Sequence, residues 1–272
     1  MKKNIAIITP LALNSVPVEF FQSFVQAQTY LQLKSDELPF EVGQLRWIAP
    51  HTFPIDANRN ECVAWLKKWD IDISVWIDAD QVLEMDTLFK LLKKGDGYPI
   101  YAGIYHLKKP PYHPIVFTAN DDFDVFYPVY FYPEEDPFYA DMLGMGCVKI
   151  DMEVFNELDR PYFKYQPIPK EISEIDELYK FKFDNEVNDV SEDVWFWKQV
   201  RENTDFRVVV DPTIQVGHIT GLSINKANYL GYQAYKKELT LKQVGQKKFD
   251  EIYNKAKRPE LVKPNKKARF VL

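Results

Sequence analysis

Apolar residues recur along this chain with two alternating periods, and the alternation predicts an architecture. Residues 4–9 form a short apolar run cut by Pro10, the pattern of a buried strand ending in a turn. Val18, Phe21, Phe24, Val25 and Leu31 then return at three- and four-residue spacing, which predicts an amphipathic helix over 17–34. The same reading predicts strands over 40–49, 71–77 and 99–105, with helices over 58–69 and 86–94. The order βαβαβαβ calls for a parallel sheet with helices on both faces. Beyond residue 105 the pattern changes. Residues 106–140 are rich in proline and aromatic side chains and predict loops and short antiparallel strands. A strand over 140–150 containing Gly144 and Gly146, a helix over 151–158, a helix over 191–203 and a strand over 206–210 follow. Residues 159–190 are the least regular, and 225–257 read as mostly helical.

Composition narrows the class. At 272 residues and 46% hydrophobic, the chain suits one large α/β domain or two small ones. Two cysteines, Cys62 and Cys147, exclude a disulfide scaffold and a structural zinc site. Pro10 breaks the first apolar run and no signal-cleavage pattern follows it, nor does any run reach the roughly 18 apolar residues of a spanning helix. The expected location is the cytoplasm. A net charge of −6 excludes a general polyanion binder, but the charge is uneven. From residue 236 onward 12 basic face 4 acidic residues, a net of +8, which leaves −14 on the body. Such a basic extension suits nucleic-acid phosphates or an anionic membrane surface, and a solvated helical tail explains it equally well.

Several catalytic signatures are absent: the phosphate loop, the three-glycine dinucleotide fingerprint, the G-x-S-x-G elbow and the H-E-x-x-H helix. What stands out is Asp78-Ala79-Asp80, two carboxylates closing an apolar strand. In open α/β sheets ligands bind at that carboxyl edge, and two acids there invite a hard divalent cation between themselves and a phosphate. Turn formation alone explains the same residues. Asn58-Arg59-Asn60 opens the preceding helix with groups suited to a nucleobase or a diphosphate. Ser191-Glu192-Asp193 begins a later helix, where capping accounts for one acid more readily than for two. Gly217-His218 adds an imidazole able to complete an oxygen-rich metal shell, although a lone histidine is more often structural.

Taken in order, residues 5–10, Asn58-Arg59-Asn60, 75–80, 102–109, 143–150, 191–195 and Gly217-His218 resemble a GT-A glycosyltransferase of the family 2 type common in phage and prophage sequences. The resemblance implies a Rossmann-like, mostly parallel sheet flanked by helices, a smaller antiparallel acceptor-side region and a helical C-terminal extension. It divides the chain into a catalytic domain over 1–220, with a nucleotide-binding half to about residue 105 and an acceptor-side half to 220, followed by the basic extension over 221–272. It implies metal-dependent transfer of a sugar from a nucleotide-sugar donor, UDP-sugars favoured, to a hydroxyl. The acceptor would be a hydroxylated base in DNA, a cell-envelope glycan or lipid, or a protein.

By the same resemblance Thr9 and Pro10 lie beside the nucleoside, and Asn58 and Arg59 contact the nucleotide. Asp80 is the main ligand of Mn2+ or Mg2+, Asp78 contacts the ribose or the metal shell with Ala79 between them, and His218 is a further ligand. Gly144, Met145 and Gly146 shape the donor-sugar and acceptor pocket. Asp193 is the base, with Glu192 the neighbouring candidate, which favours inversion of configuration. Gln44 and Arg46 stand where an aspartate often reads uracil in such enzymes. A non-catalytic sugar- or nucleotide-binding module and a nucleotidyltransferase are the competing readings.

Overall fold

The computed structural model describes residues 1–11, 15–120, 125–167, 189–220 and 222–244. Three parallel strands form one side of the central sheet: β2 (Glu41–Ile48), β1 (Lys2–Ile8) and β3 (Ile73–Ile77). The other side holds β5 (Ile100–Ile104) and the first part of β13 (Val208–Thr220), again parallel to each other. Between β3 and β5 lies β10 (Cys147–Asp151), antiparallel to both. The sheet is therefore mostly parallel, with one reversed strand at its centre. That reversal matters for the site, because the turn entering β10 lies at the edge where β3 and β5 end.

Helices cover both faces, as the alternating pattern predicts. Phe20, Phe24, Ala27 and Leu31 of α1 (Val18–Leu33) pack with Leu88, Leu91 and Leu92 of α3 (Thr87–Lys94) against Ile5, Ile7 and Val75. On the opposite face α2 (Ile55–Lys68), α4 (Met152–Asn156) and α5 (Glu192–Asn203) cover Ala6, Ile8, Trp76 and Val148. Fully buried side chains of this size each contribute roughly 1.5–3 kcal/mol. A three-stranded antiparallel sheet of β6 (Val116–Asn120), β7 (Val125–Pro128) and β9 (Met142–Leu143) forms the expected smaller region, and β11 (Gln166–Pro167) pairs antiparallel with β12 (Asp189–Val190). The last described helix, α6 (Lys226–Val244), inserts the buried Tyr229 among His106, His113 and Tyr132. Most of the basic extension lies outside the described residues. Among the described residues no helix is long and apolar enough to cross a membrane.

Two elements differ from the sequence reading. The strand expected over 140–150 is divided into β8 (Phe138–Ala140), β9 and β10, with Gly144–Gly146 as a turn before β10. The strand expected to end at 210 continues to Thr220. Its register jumps between Val210 and Gln215, where the buried Asp211 accepts hydrogen bonds from Lys94 Nζ at 3.0 Å, Tyr101 Oη at 2.9 Å and Thr213 N at 2.8 Å. These bonds satisfy the carboxylate inside an irregular stretch of strand. Asp211-Pro212 therefore bends the strand instead of ending it. Beyond the bend Val216–His218 pairs with β4 (Gln81–Leu83), which brings His218 opposite Gln81.

Candidate active site

The strand β3 is buried at all five positions and stops at Ile77. The Asp78 N–H donates to Gly146 O at 3.3 Å and the Gln81 N–H to Asp78 O at 3.2 Å, making a tight turn into β4. The turn sends the two carboxylates to different partners. Asp78 Oδ1 accepts from Arg59 Nη2 at 3.2 Å. Asp80 Oδ2 instead accepts from Lys108 Nζ and lies 3.5 Å from His218 Nε2.

Arg59 projects from α2 and is almost fully buried. Its Nε lies 3.0 Å from Glu192 Oε1, so one guanidinium bridges acids from β3 and from the start of α5. Burial opposes its charge, yet Asp78, Glu192 and Asp193 together keep it firmly protonated. Glu192 is buried and also receives the Ser191 hydroxyl at 3.0 Å, so that hydroxyl serves the neighbouring carboxylate and does not cap the helix. Asp193 has no such counter-ion among the described hydrogen bonds and ion pairs. Burial first, and then the negative charge of Glu192, push its carboxyl up to about 6 against the opposing pull of Ser191 and Arg59. Burial likewise raises Asp78, only partly offset by Arg59. Asp80 behaves oppositely: burial disfavours its charge, but hydrogen bonds and attraction from His218 and Lys108 prevail and hold it at about 2.

The imidazole of His218 is oriented by its Nδ1, 2.8 Å from His106 O. A carbonyl there requires Nδ1 to carry a proton, so Nε2, facing Asp80, is the nitrogen that a cation would take in exchange for its proton. Asp80 Oδ1 is buried and has no hydrogen-bond partner. Asp80 Oδ2, 3.5 Å from His218 Nε2, and that nitrogen form a donor pair suited to a divalent cation. Among the described residues no three His, Cys, Asp or Glu side chains group as metal ligands. Asp78, turned to Arg59, does not join Asp80 and His218. A cation held here therefore takes two protein ligands and completes its shell with ligand and water oxygens.

The remaining predicted residues gather at the same edge in different capacities. Thr9 is fully buried; its N–H donates to Ile48 O at 2.8 Å and its hydroxyl accepts from Trp47 Nε1 at 3.1 Å, with the buried Pro10 following. Asn58 is also fully buried and its amide donates to Pro50 O at 3.0 Å and Thr52 O at 3.1 Å. Those bonds tie the segment after β2 to α2 and leave the side chain facing backbone. Asn60 does the same for another segment, accepting from Tyr162 N at 2.9 Å and donating to Phe163 O at 2.7 Å. Ala79 is half-buried between the two aspartates, and Met145 is buried.

Sequence reasoning missed the residue that shapes the glycine turn. A Cβ on Gly144 would fall 1.9 Å from Tyr105 Oη, and one on Gly146 would fall 2.8 Å from Gln81 Nε2 and 3.0 Å from Asp78 Oδ2. Tyr105 is buried and accepts from the Gly146 N–H at 3.1 Å. Burial, followed by the nearby negative charges of Asp78 and Asp193, raises its hydroxyl well above the usual phenol range. Lys108 and the fully buried Gln81, whose amide atoms have no partner, were likewise not singled out. The only available signal was position, since Tyr105 and Lys108 lie in the 102–109 segment that carries the resemblance. A cleft of about 370 Å3 lies along the same β4–β13 ladder, lined by Glu84, Gly217 and Lys226 among others.

No family model and no curated protein matches this chain. Among solved structures, it is similar to A197 from STIV, at 17% identity and a TM-score of 0.50, covering 83% of this chain and 91% of that one. Looser matches include GalNAc-T7 with UDP, GalNAc and Mn2+, at 11% identity and a TM-score of 0.45, covering 93% of this chain and 54% of that one. Another is 4-diphosphocytidyl-2C-methyl-D-erythritol synthase from Anaerococcus prevotii, at 11% identity and 0.36, covering 86% and 99%. The likeness to A197 is one of fold alone.

Proposed function

We propose that this protein is a glycosyltransferase of GT-A type that uses a divalent cation and a nucleotide-sugar donor. The observation that carries the reading is that one buried arginine pairs Asp78 and Glu192 and leaves their neighbours Asp80 and Asp193 to different surroundings. Asp80 stays ionised beside His218 with an unpartnered oxygen, while the carboxyl of Asp193 is raised into the range of a working base. A cation on Asp80 and His218 would supply positive charge to the leaving diphosphate, lowering the barrier by several kcal/mol.

The chain's own residues do the rest. Asp193 takes the proton of the acceptor hydroxyl as it attacks the anomeric carbon, which gives inversion of configuration. A carboxylate near 6 is mostly ionised at neutral pH and basic enough to accept that proton. Arg59 neutralises Asp78 and Glu192, leaving Asp193 free for the acceptor. Glu192, predicted as the neighbouring candidate base, is better suited to positioning, because its carboxylate is already paired. Asn58 holds the walls of the nucleotide side rather than the ligand. Gly144–Gly146 keep the pocket floor flat because Tyr105, Gln81 and Asp78 crowd it. Residues 1–105 form the donor half, 106–220 the acceptor half and 221–272 an appended basic segment. The preference for UDP-sugars follows from the family resemblance, as do the acceptor classes: hydroxylated DNA bases and envelope glycans or lipids.

The test is incubation of the full chain with a panel of nucleotide sugars and Mn2+, following nucleoside diphosphate release with and without acceptors. Release that requires both Mn2+ and Asp193 supports the reading. Release of pyrophosphate from nucleoside triphosphates instead would identify a nucleotidyltransferase.

A further inference from the structure

We infer that Lys108 is an exchangeable counter-ion for Asp80, which it holds until donor and divalent cation arrive together and then releases to bind the donor's diphosphate. The inference rests on the donor site proposed above and adds a role for a residue that the resemblance does not assign. Lys108 lies beyond β5, in a hairpin where Leu107 N donates to His113 O at 2.9 Å and Ile115 N to Tyr105 O at 2.9 Å. Its ammonium reaches Asp80 Oδ2, the oxygen that also faces His218 Nε2. The side chain is 39% exposed, so it can leave Asp80 without unfolding anything. The other oxygen, Asp80 Oδ1, is buried without a partner.

A cation bridging to His218 Nε2 approaches Asp80 through Oδ2, the same oxygen that Lys108 occupies. A cation taking Asp80 and His218 must displace an ammonium that already satisfies Oδ2, and two protein ligands offer little in exchange. Once a diphosphate is present the displaced ammonium has a better acceptor, because it moves from one carboxylate oxygen to oxygens carrying more charge. Cation and nucleotide therefore bind with positive coupling, and the coupling is reciprocal. The exchange also puts a second positive charge on the leaving group without adding a residue to the site.

The test compares Mn2+ titrations of the full chain, wild type and Lys108→Met, each without and with UDP. Methionine keeps the length of the side chain at an exposed position while removing its charge. The expected result is Mn2+ binding at least tenfold tighter in Lys108→Met without UDP, and a smaller tightening by UDP than in wild type. Lys108→Arg should retain the wild-type coupling, and Asp80→Asn should lose Mn2+ binding with either residue at 108. Equal Mn2+ affinities and equal UDP effects in wild type and Lys108→Met would overturn the exchange while leaving the cation site standing. Failure of wild type and Lys108→Met alike to bind Mn2+ even with UDP would overturn the donor-site reading itself.

Discussion

Two pairs of acids meet at the carboxyl edge of this sheet, and they are built differently. Asp78 and Asp80 lie on a turn leaving a buried strand, one residue apart, so the turn directs them to separate partners. Glu192 and Asp193 are adjacent in the first turn of a helix. Arg59 takes one acid from each pair. The two acids left over are then driven in opposite directions, Asp80 down to about 2 by His218 and Lys108, Asp193 up to about 6 by burial and Glu192. A single buried guanidinium thus separates four carboxylates into two that it pairs and two that are left to opposite surroundings.

Removing the sorter is the most damaging change. Arg59→Met leaves the buried Glu192 and the half-buried Asp78 without their shared counter-ion, and stability measured by urea unfolding should fall by about 3 kcal/mol. Wild-type stability would mean that both acids reach solvent and that Arg59 is not central. Asp193→Asn separates the pairs more cleanly: transfer should fall by roughly 10²–10⁴ while UDP affinity stays within about twofold. Lost UDP binding would move Asp193 to the donor side.

The same variant carries a stability signature. The Asp193 carboxyl is raised in the fold relative to about 3.9 in the unfolded chain, so the folded state holds its proton more tightly. The contribution of Asp193 to stability therefore declines as pH rises from about 4 to about 6, and asparagine removes that penalty. Asp193→Asn should be more stable than wild type at pH 7, by about 1–3 kcal/mol, with the advantage vanishing near pH 4. If Asp193 is the proposed base, kcat/KM for sugar transfer should fall below about pH 6 as it protonates. Glu192→Gln removes the neighbouring negative charge and should move that limb to lower pH. An unmoved limb would assign it to another group.

The smallest expected effect sharpens the geometry of the glycine turn. Tyr105→Phe leaves the Gly146 N–H without its acceptor and should cost about 1–3 kcal/mol. Gly144→Ala should be worse, since its Cβ meets the Tyr105 hydroxyl, and the double variant should recover part of the loss.

Much of this was legible before the structure, and the boundary follows a physical line. The first half announces itself because β1, β3, α1 and α3 bury apolar faces at regular periods, and Asp78-Ala79-Asp80 ends a strand whose five residues are all buried. The second half does not. The reversed β10 carries no mark of its direction, because a strand buried on both faces reads the same either way. The continuation of β13 past Pro212 depends on the Asp211 bonds to Lys94 and Tyr101, both more than 100 residues away. In the site, the residue types were readable but their partners were not. That Arg59 meets Asp78 and Glu192, and that the Asn58 amide meets backbone carbonyls, is written in no spacing along the chain. Tyr105 and Lys108 have no motif of their own; only their distances to Gly146 and Asp80 single them out.

The most direct measurement of the central claim is a thermal-shift comparison of wild type, Asp80→Asn and Asp193→Asn with UDP and UDP-sugars, each in Mn2+ and in EDTA. A ligand at about 100 times its dissociation constant stabilises a fold by roughly 2.7 kcal/mol, enough to read without knowing the acceptor. A Mn2+-dependent shift is expected in wild type and Asp193→Asn and none in Asp80→Asn. A shift that survives Asp80→Asn, or that is lost with Asp193→Asn, would contradict the division of labour that Arg59 imposes.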